Sequence, residues 1–250
     1  MCVLCSPLGL QGALFDYDDG NYKCRDILGG TTMNYIMEIL PALFSGAWTT
    51  IWVFALTLII SIPLGVVLSL GLSTTAKNPL ALLIRWLLNI YTWVFRGTPL
   101  LLQLIFVFYG LPTIGVVFDR GSAVIFAFVL NYAAYFAEIF RGGFQAVSKE
   151  QFEAATVLNL TRWQTLRYVI IPQVVKIVLP SIGNEVINLV KDSSLVYVIG
   201  LGDLLRAGNI ATARDVTLVP LVLVGIIYLL MTFVLTMVQK QMEKKFAFYR

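Results

Sequence analysis

Four ionisable residues stand inside otherwise apolar stretches of this chain: Glu138, Lys176, Glu185 and Asp192. A charge in such surroundings is costly unless it meets an opposite charge, a protein interior or a water-filled path. Glu138 and Arg141 are three residues apart, the spacing of an ion pair between adjacent turns of a helix. Lys176 falls close enough to the end of its apolar segment to reach water. Glu185 and Asp192 are seven apart, two helical turns along one face, at the middle and outer end of their segment. Glu185 is the candidate for lining a solute path; Asp192 fits either that role or a cap or pair with Lys191 or Arg206. Asn131, Asn184 and Asn188 are candidate polar liners, and hydrogen bonds between helices explain them equally well. Arg96 and Gln103 also share a face, with Arg96 placed to snorkel or to brace a neighbouring loop.

Covalent chemistry finds no support. The chain has no His, and its three Cys, at 2, 5 and 24, precede every apolar run. The Cys2/Cys5 gap suits a metal or redox motif, but no second pair completes a tetrahedral site. No G-x-x-x-x-G-K-[ST] exists and no Lys precedes Ser or Thr, so nothing here cradles a nucleotide phosphate. Catalytic residues, metals and bound cofactors are therefore not expected in this chain, and a nucleic-acid partner is not expected either.

The elements that must position these groups follow from composition. The chain is 58% hydrophobic and 13% charged, whereas soluble domains carry roughly a quarter charged residues, so lipid must cover much of the surface. Runs long enough to cross a bilayer occur at 48–72, 86–111, 123–140, 169–190 and 216–238, the second interrupted by Arg96 and Pro99. About five transmembrane helices make an all-α integral membrane protein. An N-out, C-in arrangement puts most of the 18 Lys and Arg inside, among them Lys240, Lys244, Lys245 and Arg250 and those between the third and fourth spans. The segment 33–46, broken by Pro41, reads as an interfacial helix or a linker, and 191–215 as a re-entrant or broken segment packed inside the protein. The expected organisation is an extracytoplasmic head and interfacial segment at 1–40, a transmembrane domain at 41–240 with a cytoplasmic loop at 145–172, and a tail at 241–250.

That loop reads SKEQFEAATVLNLTRWQTLRYVIIP. Two capping boxes, Ser148 with Gln151 and Thr161 with Gln164, predict two short helices, with Asn159 supplying a left-handed turn between them and Pro172 ending the second or restarting it as a span. A two-helix knob on the inner face is a shape that docks. Glu153-Ala154-Ala155, with Ile170-Ile171-Pro172-Gln173, resembles the EAA loop of ABC importer permeases. Phe95-Arg96-Gly97-Thr98-Pro99-Leu100-Leu101, Ala137-Glu138-Ile139-Phe140-Arg141-Gly142-Gly143 and Lys191-Asp192-Ser193-Ser194-Leu195 resemble the polar amino acid branch of that family, in order and at its spacing. The departure at Asn159, where the family usually has Gly, keeps the left-handed turn accessible.

The resemblance implies a type I ABC importer permease fold in a prokaryotic plasma membrane. It implies ATP and Mg bound by separate ATP-binding subunits, a solute-binding protein outside, and a second permease chain, as homodimer or heterodimer. Glu153, Ala154, Ala155, Asn159 and Arg162 would then form the ATPase-docking loop. A carboxylate at Glu185, after Gly183-Asn184, would hold positive groups of an amino acid. The alternative function is a gradient-driven transporter in which Glu185 and Asp192 couple cations.

Overall fold

The computed structural model describes residues 15–18, 21–24, 31–74, 76 and 78–247. Cys2, Cys5, Lys77 and Arg250 lie outside these. A short antiparallel hairpin, β1 (Phe15–Asp18) and β2 (Asn21–Cys24), pairs Phe15 with Cys24 and Asp18 with Asn21. Everything else described is helical or connects helices.

Helix α1 (Thr31–Leu72) is continuous over 42 residues, with Pro41 and Pro63 inside it. The expected separate segment at 33–46 is thus the first third of α1. A proline removes one helical hydrogen bond, but here Ile39, Leu43 and Ala47 are buried with Leu204 and Val224, which holds the helix together across Pro41. Helix α2 (Pro79–Gly97) starts at Asn78, whose side chain accepts from the Ala81 N–H at 3.2 Å. Pro99 forces Thr98 into extended backbone, φ −119° and ψ 147°, because a residue before proline clashes in the helical region. The chain resumes as α3 (Leu100–Ile105), a π turn (Phe106–Gly110) and a 3-10 turn (Leu111–Ile114). The run expected at 86–111, interrupted by Arg96 and Pro99, is therefore two pieces bent by 105°.

Helix α4 (Arg120–Ala146) is capped by Asp119, which accepts from the Ser122 N–H. The loop helix α5 (Lys149–Val157) follows. Its expected capping box at Ser148 does not form; the Ser148 hydroxyl serves the neighbouring Glu150 instead, and Gln151 accepts from Gln173 at 3.2 Å. The second box does form, Thr161 and Gln164 capping each other at the start of α6 (Arg162–Gln164). This second loop helix is not separate. It passes through a π segment (Thr165–Ile170), which absorbs Pro172, into α7 (Ile171–Asp192) and a 3-10 segment (Ser193–Ile199). Helix α8 (Leu204–Asp215) and α9 (Val219–Ala247) complete the chain. The 191–215 stretch is broken as expected, with Val196, Ile199, Asp203 and Leu204 buried.

Four helical stretches are long and apolar enough to cross a membrane, Met33–Leu72, Arg120–Ala146, Arg162–Ile199 and Val219–Phe246; the bent pair makes a fifth if it is one span. Burial ranks them. The most apolar window of Arg120–Ala146 is 61% buried within the chain and that of Val219–Phe246 only 6%, so α4 is the hub and α9 shows Leu229, Leu230 and Phe233 outward, the composition of a lipid-facing surface. Around α4, Phe128, Tyr132 and Phe136 are fully buried against Val53, Leu104, Leu189 and Val196.

Because lipid is as apolar as the side chains, close fit rather than hydrophobicity holds such helices together. Gly65 lets α1 come so near α4 that a β-carbon on it would sit 2.5 Å from Phe136 Cβ and 3.1 Å from the Ala137 nitrogen. Gly65→Leu is expected to lower stability by about 1–3 kcal/mol, while Gly225→Leu, at a position with nothing within 4 Å, changes it by less than about 0.5 kcal/mol; thermal unfolding followed by size-exclusion of the purified protein compares the two. In the loop, Asn159 has φ 56°, so Asn159→Val is expected to cost about 1–2 kcal/mol and Asn159→Gly to be tolerated in the same assay.

Candidate functional site

A cavity of about 390 Å³ opens where the α2–α3 bend, α4 and α7 meet. The bend contributes Thr98 to Leu101, α4 contributes Asn131, Tyr132 and Tyr135, and α7 with its 3-10 extension contributes Glu185, Asn188, Asp192 and Leu195. Spacings of three, four and seven place each set on one helical face. The sequence-derived liners Glu185, Asp192, Asn188 and Asn131 are thus brought together; Asn184, on the exposed neighbouring face of α7, is not part of the wall.

Hydrogen bonds set the wall's shape. Gln103 donates from Nε2 to the carbonyls of Phe95 at 2.9 Å and Thr98 at 3.1 Å, and to Thr98 Oγ1 at 2.8 Å. Asn131 Nδ2 donates to the Phe95 carbonyl and to Gln103 Oε1, both at 3.0 Å. These amides satisfy the carbonyls that the bend frees, so Asn131 acts first on the bend and only with its remaining surface on the cavity. Asp192 accepts from the Tyr132 hydroxyl at 2.8 Å and pairs with neither Lys191 nor Arg206. Glu185 is half-buried and takes a hydrogen bond from Asn188. Glu138 pairs with Arg141 as the spacing implied, Arg141 Nε donating at 3.0 Å, and Arg96 adds a second, longer contact at 3.8 Å. Tyr132 and Tyr135 were not singled out from the sequence. The signal was available, since a tyrosine in an apolar span needs a partner for its hydroxyl and both stand on the face of Asn131.

The loop forms a second surface. Glu153 and Ala154 are exposed, Ala155 is buried against the loop itself, and Arg162 opens α6 in solvent. The turn closes through Leu158 N–H to the Ala154 carbonyl and Leu160 N–H to the Ala155 carbonyl, both 3.0 Å. Val157 at 85% and Leu158 at 71% exposure, with Phe152 and Trp163, make an apolar rim around it. Glu150 at the start of α5 is held below the usual carboxylate range by its own backbone N–H and then by the Ser148 hydroxyl. Elsewhere outside the spans, burial pushes Asp203 up to about 6, and hydrogen bonds from Arg214 and then Tyr35 pull Asp215 down to about 2. Among the described residues no group of three or more acidic, Cys or His side chains could hold a metal ion.

Known proteins are similar to this chain in sequence and in fold. The arginine transport system permease protein ArtQ of Bacillus subtilis is 39% identical over 208 residues, covering 82% of this chain and 93% of its own length. A probable amino-acid ABC transporter permease protein, YckA, of the same organism is 36% identical over 85% of this chain and 92% of its own. A crystal structure of an amino acid ABC transporter with histidines superposes with a TM-score of 0.77 at 34% identity, covering 85% of this chain and 97% of that one. Residues 61–248, from the last third of α1 to the tail and including both the cavity and the loop, match the binding-protein-dependent transport system inner membrane component family. The chain belongs to that family, the multi-pass inner-membrane permease subunits of ABC transporters.

Proposed function

We propose that this chain is the membrane-spanning subunit of an importer for polar, including cationic, amino acids, with N-out and C-in orientation, catalysing no covalent step itself. ATP and Mg are bound by separate ATPase subunits that dock on Glu153, Ala154, Ala155, Asn159 and Arg162; a solute-binding protein delivers the amino acid from outside; a second permease chain, the same or a relative, completes the pathway. The reading is supported by the acidic cavity, by relatives whose names specify arginine and amino acids, and above all by one continuous element. The helical stretch Arg162–Ile199 begins at the docking loop and carries Glu185, Asn188 and Asp192 at its other end. A push on α5 is handed through the Asn159 turn to that rod, and displacement of the rod moves one wall of the cavity past Tyr132 and the α2–α3 bend. ATPase closure is thereby converted into opening of the acidic site to one side of the membrane, and relaxation into opening to the other.

The test is uptake of labelled L-arginine and L-glutamine into liposomes holding the chain with its co-purified partners. Wild-type uptake is expected to require internal ATP. Glu185→Gln removes a charged partner of the ammonium group and should lower uptake about ten- to hundredfold, measured as initial rate at equal incorporation. Glu153→Lys reverses the charge of an exposed carboxylate on the docking loop and should cut ATP-driven uptake by about tenfold or more, with amino acid binding retained. Uptake driven by an ion gradient and indifferent to ATP and to Glu153→Lys would overturn the importer reading.

A further inference from the structure

A free amino acid carries an α-carboxylate whatever its side chain, and a cavity walled by Glu185 and Asp192 alone would leave that charge unpaired and repelled. None of the residues walling the cavity is basic. Arg96, the residue before Gly97 at the end of α2, lies against Tyr135 of the cavity wall. We propose that Arg96 receives the α-carboxylate of the transported amino acid at the cavity rim, opposite the carboxylates that hold its ammonium group.

The geometry leaves Arg96 available for this. Its guanidinium lies 5.5 Å from the centre of the Tyr135 ring, and Tyr135 is part of the cavity wall; the Tyr135 hydroxyl reaches the Arg96 carbonyl at 3.5 Å, which ties the two residues together. Its ion partner, Glu138, is 3.8 Å away and already carries the closer, two-nitrogen contact from Arg141. Among the described residues no hydrogen bond ends on the Arg96 guanidinium, and its side chain is 43% exposed. Glu185 lies within its Coulombic reach across the cavity. A planar fork of donors, braced on an aromatic ring and only loosely paired, is the chemistry that binds a carboxylate in two parallel hydrogen bonds. A side chain that merely snorkels to the membrane surface has no need of a cavity-lining ring beneath it.

This assignment rests on the proposed function and is separable from it. The experiment measures equilibrium binding to the intact permease–ATPase complex in nanodiscs of L-arginine and L-glutamine, each against its decarboxylated counterpart, agmatine and 4-aminobutanamide. Wild type is expected to bind the amino acid about ten- to hundredfold more tightly than the amine. Arg96→Gln should weaken the amino acid by about that factor and leave the amine within about twofold, so that the preference collapses; Arg96→Lys, a point charge without the fork, should restore part of it. A wild type that binds amine and amino acid alike overturns the assignment without any variant. So does an Arg96→Gln complex in which both ligands weaken equally, or in which neither changes. Glu185→Gln should weaken both members of each pair. If it weakens neither, or if neither amino acid binds wild type, the acidic cavity itself is misread and the proposed function fails first.

Discussion

The structure turns on the break at Thr98–Pro99 and on the two amides that make it tolerable. Inside a bilayer an unpaired carbonyl has no water to turn to, and a 105° bend frees several at the end of α2. Gln103 reaches back across the bend to Phe95 and Thr98, and Asn131 reaches over from α4 to the same Phe95 carbonyl and to Gln103. A local feature, proline restricting its predecessor, is in this way tied to the central helix. The cavity follows from it, because the bend sets Thr98 to Leu101 against α4 and α7 as one wall.

The same logic explains why α4 carries so much. It is the helix that Gly65 of α1 approaches closely, whose aromatic residues fill the core, and whose polar residues Asn131, Tyr132 and Glu138 each face a different neighbour: the bend, α7 and the arginines. A helix with a function on every face cannot also face lipid, and its burial reflects that. The peripheral α9 is the opposite case, apolar all round and little buried. The stretch Arg162–Ile199 joins these two themes, starting in a solvent-exposed loop and ending in the core beside Tyr132. Its π segment at Thr165–Ile170 lets the helix pass Pro172 without stopping, so loop helix and span form one continuous helical stretch.

Much of this was legible in the residues. Apolar runs of bilayer length located the spans, the Thr161–Gln164 box and Asn159 located the loop turn, and the seven-residue spacing of Glu185 and Asp192 put both on one face that does meet a cavity. Each of these is a property of a single continuous run of sequence. The errors have separate causes. Pro41 read as a break because local propensity disfavours proline within a helix, yet burial of Ile39, Leu43 and Ala47 outweighs it at α1. Ser148 had the right spacing for a capping box, but a competing neighbour, Glu150, engages its hydroxyl.

The sequence by itself determined that the chain lives in a membrane, that it carries no G-x-x-x-x-G-K-[ST] pattern, and which residues form the protruding loop, because composition, motif content and cap spacing are properties of the chain alone. Only the tertiary structure decided which carboxylate meets which partner. Asp192 goes to Tyr132, 60 residues away, rather than to its neighbour Lys191, and Glu138 is shared between Arg141 and Arg96. Pairings of this kind depend on how far helices rotate and approach as they pack, and that is settled by the fit of Gly65 against Phe136 and Ala137 between α1 and α4 and by the bend at Pro99, which no stretch of sequence contains on its own.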